Sequence, residues 1–154
     1  MRAKNQGSLP ADVVAKCDEV HGRRRGRILI AEDDADFREL MAVGLQADGH
    51  ETVAVSNGID LLKALAQDRA SDSQTEAFDL VISDVRMPGC SGIDAVAKLG
   101  HGPGVPPVLL ISAFADDELC ARAHEIGVLD ILDKPFDVDD LRLFVNQCLA
   151  KRRL

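Results

Sequence analysis

Short runs of apolar residues alternate with longer stretches in which apolar positions recur every three or four residues, and the alternation persists almost to the end of the chain. The short runs are RILIA (27–31), ETVAV (51–55), FDLVIS (78–83), PVLLIS (107–112) and VLDIL (128–132). Rich in Val, Ile and Leu, most of them without a polar face, they predict strands covered on both sides. Between them, DFRELMAVGLQADG (36–49) sets Phe37, Leu40, Met41, Gly44 and Leu45 at helical spacing and closes on Gly49 as a helix stop. Ser56 or Asn57 can cap a helix over GIDLLKALAQ (58–67), after which the polar DRASDSQTEA breaks the pattern. SGIDAVAKLG (91–100), DDELCARAHEIG (116–127) and DVDDLRLFVNQCLAKR (137–152) bring the count to five strands and five helices.

Buried strands each separated by one helix predict an α/β fold with a parallel sheet between two helical layers. Ligands bind such sheets at the carboxyl ends of the strands, so every loop leaving a strand shares one edge. DRASDSQTEA and GHGPGVPP lead into strands and belong at the opposite edge.

Polar residues collect at the strand exits. The first strand is followed by Glu32, Asp33 and Asp34, the third ends on Asp84, the fourth on Ser112, and the fifth leads to Lys134 just before Pro135. Taken one at a time these residues have ordinary explanations: an acidic triplet caps helices, and Asp, Pro and Gly make turns. Taken together they form a cluster whose charge must be offset. Two carboxylates about 4 Å apart repel by about 4 kcal/mol at an effective dielectric near 20. An oxygen-only site of this kind suits Mg²⁺, which keeps waters and draws its remaining ligands from a phosphate-bearing substrate. Lys134 is a compact point charge fit to pair with a phosphoryl oxygen, and Ser112 offers a hydroxyl. Asp34 reads as a helix cap or an outer residue.

Composition narrows the setting. The 154 residues, 46% hydrophobic, suffice for one domain with its own core. Cys17, Cys90, Cys120 and Cys148 lie too far apart for a zinc motif and are too few for a secreted disulfide scaffold, which points to a reduced, cytoplasmic protein. No segment reaches the roughly 20 apolar residues of a membrane span. Residues 1–27 carry seven basic side chains against three acidic, and the rest eleven against twenty-three. We therefore divide the chain into a basic N-terminal arm or linker (1–26) and an acidic folded body (27–152), whose charge disfavours nucleic acid. Within the arm, PADVVAKCDEV (10–20) can form a brief helix, and HGRRRGR (21–27) reads as a solvated linker. His21, His50, His101 and His124 fall outside the strand-end cluster.

The motifs ILIAEDD, DLVISDVRMPG, LLISAF and DKPF, in this order and each at a strand end, resemble the receiver domain of two-component response regulators over about residues 27–152. The resemblance implies a flavodoxin-like, doubly wound (βα)5 sheet with strand order 2-1-3-4-5. It implies that Asp84 accepts a phosphoryl group from a sensor histidine kinase or phosphotransfer protein. Asp33 and Asp84 would bind Mg²⁺ directly with the backbone carbonyl of Arg86, Glu32 would act largely through water, and Ser112 and Lys134 would take the family's hydroxyl and lysine positions. The implied protein is a signalling phosphoacceptor rather than an enzyme acting on other substrates. It would be read by a downstream effector protein through the face of its fourth helix, fifth strand and fifth helix, a face that can also serve homodimerisation. One departure stands out: the aromatic residue common three positions before the lysine is Ile131 here. Rival readings fit less well. A phosphohydrolase with an aspartyl nucleophile would carry Asp-x-Asp after the first strand, a flavin module would want a stacking Trp or Tyr, of which there are none, and a pseudo-receiver would lack part of the cluster.

Overall fold

The computed structural model describes residues 2–3, 25–70, 77–100 and 104–152. The predicted arm helix (10–20), Cys17, His21 and His101 lie outside the described residues. In chain order the elements are β1 (Arg2–Ala3), β2 (Arg27–Ala31), α1 (Ala35–Ala47), β3 (Glu51–Val55), α2 (Gly58–Ala70) and β4 (Leu80–Asp84). They continue with α3 (Gly92–Leu99), β5 (Val108–Ser112), α4 (Asp117–Glu125), β6 (Asp130–Asp133) and α5 (Val138–Arg152).

Apart from β1, these are the five strands and five helices of the pattern, all strands parallel. The sheet order is β1-β6-β5-β4-β2-β3, so the five strands of the repeat take the doubly wound order 2-1-3-4-5. β1 is an addition that no periodicity could announce: Arg2 pairs with Ile131 and Ala3 with Leu132, along the outer edge of β6. Two residues of the N-terminal arm or linker thus pair with the sheet.

Successive strand residues point to opposite faces and build two cores. Ile28, Ile30, Leu80, Ile82, Leu109 and Ile111 pack under α1 and α5 against Met41, Leu45, Leu141, Val145 and Leu149. Leu29, Ala31, Val81, Leu110 and Ile131 face α2, α3 and α4 through Leu61, Leu65, Ile93, Val96 and Ala123. Each fully buried Leu or Ile contributes about 1.5–3 kcal/mol. β4 and β5 are buried at all five positions, as their uninterrupted apolar runs require.

Two helices depart from expectation. In α1 the buried stripe is Met41 and Leu45 with Phe37 packed beside them, whereas Leu40 and Val43 face outward at 54% and 57% exposure. α2 runs one turn beyond the expected Gln67, and there Asp68 accepts from Arg27 Nη1 and from the Phe78 amide, both at 3.3 Å. Its start is settled in favour of Asn57, whose side chain accepts from the Asp60 amide at 2.7 Å and donates to the Asp60 carboxylate at 2.9 Å. α1 stops at Gly49, whose φ of 89° is the left-handed conformation glycine adopts cheaply.

A polar network ties the base of the sheet, opposite the strand exits, to α5. Arg142 donates through Nε and Nη2 to the buried Asp48, and Asn146 donates to the same carboxylate at 3.1 Å. His50 bridges Asn146 Oδ1 at 2.8 Å and the Gly26 amide, which donates to its Nδ1 at 3.0 Å. Burial pushes the Asp48 carboxyl up, but the hydrogen bonds from Arg142 and Asn146 outweigh it and hold the carboxyl below its usual range. The sign follows: the pair contributes fully above the unfolded Asp value near 3.9, and its contribution is lost as pH falls through the lower folded value. We expect Arg142→Met, which strands the Asp48 charge, to cost about 3 kcal/mol in urea unfolding at pH 7. The deficit should shrink in acid once Asp48 is protonated.

Candidate functional site

The exits of β2, β4, β5 and β6 converge at one edge of the sheet. β4 delivers Asp84 from a fully buried strand, and its carboxylate is fixed from two sides: Arg86 N donates to Oδ1 at 3.1 Å and Lys134 Nζ to Oδ2 at 2.8 Å. Lys134 also donates to Glu32 Oε2 at 3.2 Å. Its loop is carried by β6, and its own amide donates to the Ser112 carbonyl at 2.8 Å. Glu32, 1% exposed, leaves β2 and accepts from the Asp34 amide at 3.2 Å. Asp33 lies beside it in the open. Carboxylate oxygens of Glu32, Asp33 and Asp84 lie within 4.8 Å of one another, close enough for one hard cation, with the exposed side at Asp33 left for water or a phosphoryl group.

Asp34 is the α1 cap: its carboxylate accepts from the Asp36 and Phe37 amides. Arg38, one turn into that helix, donates to the Glu32 carbonyl at 2.8 Å, so α1 braces the acidic loop from both sides. Ser112 is buried at the end of β5 beside β4, and its Oγ accepts from the Phe114 amide at 3.1 Å. Phe114 itself is 74% exposed, and the Arg86 side chain is exposed as well. Ile131, where an aromatic residue is common, is buried in the core.

The electrostatics carry the mark of crowding. Burial, and then the neighbouring Asp84 carboxyl, push the Glu32 carboxyl up to about 7, against the opposing pull of the Asp34 amide and Lys134. Desolvation opposes the charge on Lys134, but its contacts with Asp84 and Glu32 prevail and raise its pKa.

A family model described as the response regulator receiver domain matches residues 28–146. The chain belongs to that family. Receiver domains are the phosphoacceptor modules of two-component systems. The chain is 34% identical over 127 residues to the transcriptional regulatory protein PdtaR of Mycobacterium tuberculosis, covering 82% of this chain and 58% of that protein. It is 32% identical over 123 residues to the regulatory protein AtoC of Escherichia coli, covering 80% of this chain and 25% of that one. The chain therefore spans only part of these curated relatives. A solved Francisella response regulator receiver domain superposes with a TM-score of 0.71 at 25% identity, covering 84% of this chain and all of that domain.

The receiver fold thus brings Glu32, Asp33, Asp84 and Lys134 into one cluster and places Ser112 on the neighbouring strand end. Sequence reasoning missed Gly92. A Cβ there would stand 2.0 Å from the Asp84 carbonyl oxygen and 2.6 Å from Ser83 Oγ, which itself donates to that carbonyl at 3.0 Å. Only a glycine lets α3 start directly beneath the acidic strand end. Its signal was the SG pair opening a helix, which reads first as an ordinary cap.

Two expectations follow. Gly92→Ala should displace the β4 exit, costing about 1–3 kcal/mol by thermal unfolding and lowering cation affinity in calorimetric titration. For Glu32, the folded carboxyl titrates near 7 against 4.5 for an ordinary one, so the folded chain holds the extra proton between those values. Stability of the metal-free protein should therefore fall as pH rises from about 4.5 to about 7. Glu32→Gln should flatten that slope and be the more stable protein at pH 8, by about 1–3 kcal/mol in denaturant titration.

Proposed function

We propose that this receiver domain takes a phosphoryl group onto Asp84 from a phosphohistidine of a sensor kinase or phosphotransfer protein, and signals by the resulting change in its surface. The observation that carries the reading is the Asp84 carboxylate, held at the end of a buried strand with the Lys134 ammonium at 2.8 Å and two further carboxyl groups alongside. In the transfer, an Asp84 carboxylate oxygen attacks phosphorus, the new O–P bond forms as the P–N bond breaks, and the histidine imidazole leaves. A divalent cation such as Mg²⁺, held by Asp33, Asp84 and the Arg86 carbonyl with Glu32 acting through water, would neutralise charge on the phosphoryl oxygens. The chain's own residues do the rest. A rigid β4 keeps the nucleophile in line, Lys134 pairs with one phosphoryl oxygen, and the Ser112 hydroxyl donates to another.

Binding of the phosphoryl oxygen by Ser112 draws on a hydroxyl that accepts from the Phe114 amide, so phosphorylation and the conformation of the loop after β5 are linked. That loop leads into α4, whose face with β6 and α5 is the surface we assign to a partner protein, or to a second copy of the chain. Ile131 is buried where an aromatic side chain is common, so in this reading the change is passed on by a backbone shift or by contact with a second copy rather than by an aromatic rotamer. The reading makes the chain a self-modifying signalling module and not an enzyme with an external substrate. No helix among the described residues is long and apolar enough to cross a membrane.

Intact-mass measurement after treatment with a small acyl phosphate should show one added phosphoryl group, absent in Asp84→Asn and abolished by excess chelator. Equal labelling of the variant would move the acceptor elsewhere. The lifetime of the product tests the surroundings: by the family's pattern we assign Phe114 and Arg86, both exposed here, to the border of the line along which water must approach, where neither can orient it as an acidic or amide group could. An Arg86→Asn, Phe114→Glu double variant should lose its phosphoryl group several-fold faster than the wild type. An unchanged rate would show that both side chains stand clear of the water's path.

A further inference from the structure

Lys134 has a third neighbour that no motif includes. Its ammonium lies over the ring of Phe37, with Nζ 4.9 Å from the centroid. The ring is itself anchored: it meets Phe136 edge-on, with centroids 5.4 Å apart and planes at 68°. Both phenyl groups are half-buried against the core beneath α1 and α5. Phe37 thus comes from the first turn of the helix capped by Asp34, and it grips the β6–α5 loop at Lys134 and again two residues later.

We propose that Phe37 is a positioning residue for Lys134, holding its ammonium at the strand-end cluster by the attraction of a cation to the negative face of the ring. The proposal rests on the assignment of Lys134 to the phosphoryl site made above. Its chemistry complements the carboxylates. Glu32 Oε2 and Asp84 Oδ2 hold Nζ by hydrogen bonds that must be exchanged when a phosphoryl oxygen arrives, since the ammonium has three protons to distribute. The ring uses none of those protons and keeps its hold throughout the exchange. Without it, a four-carbon side chain would have to be reordered at each transfer. The contact also links the two loops that supply opposite charges to the site, because Phe37 belongs to the helix whose cap and whose Arg38 brace the acidic loop.

The test compares the 154-residue wild-type chain with Phe37→Leu, Phe37→Tyr, Lys134→Met and the Phe37→Leu, Lys134→Met double variant. In NMR spectra the Lys134 ε-methylene protons should be shifted upfield by the ring in wild type and Phe37→Tyr, and lie at an ordinary lysine position in Phe37→Leu. With phosphoramidate as donor and Mg²⁺ present, Phe37→Leu should slow labelling by about three- to tenfold, the range set by a partly buried cation over an aromatic ring. Phe37→Tyr should restore the rate, and Phe37→Leu should add little in the Lys134→Met background, because the two changes break one interaction. A ring acting only as core packing predicts the opposite, the same slowing with or without Lys134 and no rescue by tyrosine, and either result overturns the proposal. If the wild type takes no label, the acceptor assignment fails, and the ε-methylene shift alone decides: upfield supports the ring's hold on the ammonium, and an ordinary position refutes it.

Discussion

Like charge gathered at one edge of a parallel sheet is the constraint to which the upper half of this molecule answers. Glu32, Asp33 and Asp84 have oxygens within 4.8 Å of one another, and burial raises the cost of every uncompensated charge there. The protein meets that cost with one ammonium, two backbone amides and a Glu32 carboxyl whose pKa burial and the Asp84 carboxyl push up to about 7. Each hydrogen bond among these holds only within a narrow range of distance and angle, so the elements that carry its partners must be firmly placed. That is why β4 is buried at every position and why α3 begins on a glycine pressed against the Asp84 carbonyl.

The lower half is built on the opposite principle, with its charges paired and its polar atoms matched in sequence. Asp48 receives Arg142 and Asn146, Asn146 meets His50, and His50 accepts the Gly26 amide. Such a network is costly if half made and stiff when complete. It fastens the start of β2, the turn before β3 and the middle of α5 together, leaving the electrostatic tension to the other end of the sheet.

Much of this was legible in the chain. Continuous apolar runs separated by helical stretches located every long strand, and the rule that loops leaving parallel strands share an edge gathered Glu32, Asp33, Asp84, Ser112 and Lys134. What escaped has a common cause: each contact joins residues remote in sequence, which no local period reports. β1 is two residues long, and no pattern is visible at that length. Phe37 satisfies a helical spacing, so it reads as core and hides its contact with a residue ninety-seven positions later. His50 was set aside because it lay outside the acidic cluster, but its partner Asn146 is equally remote in sequence, and only the fold brings the two together.

The two helices that flank β6 are secured very differently. α5 buries Leu141, Leu143, Val145 and Leu149 and is pinned at its centre by the Asp48 network. α4 buries Ala123, packs Leu119 and Cys120 against the core only in part, and meets α3 through the ion pair of Arg122 with Asp94, both about half exposed. Exposed pairs are weak and are screened by salt. The face is therefore anchored unequally: α5 is fastened by a buried apolar stripe and a polar network, whereas α4 rests on partial burial and an ion pair that salt weakens.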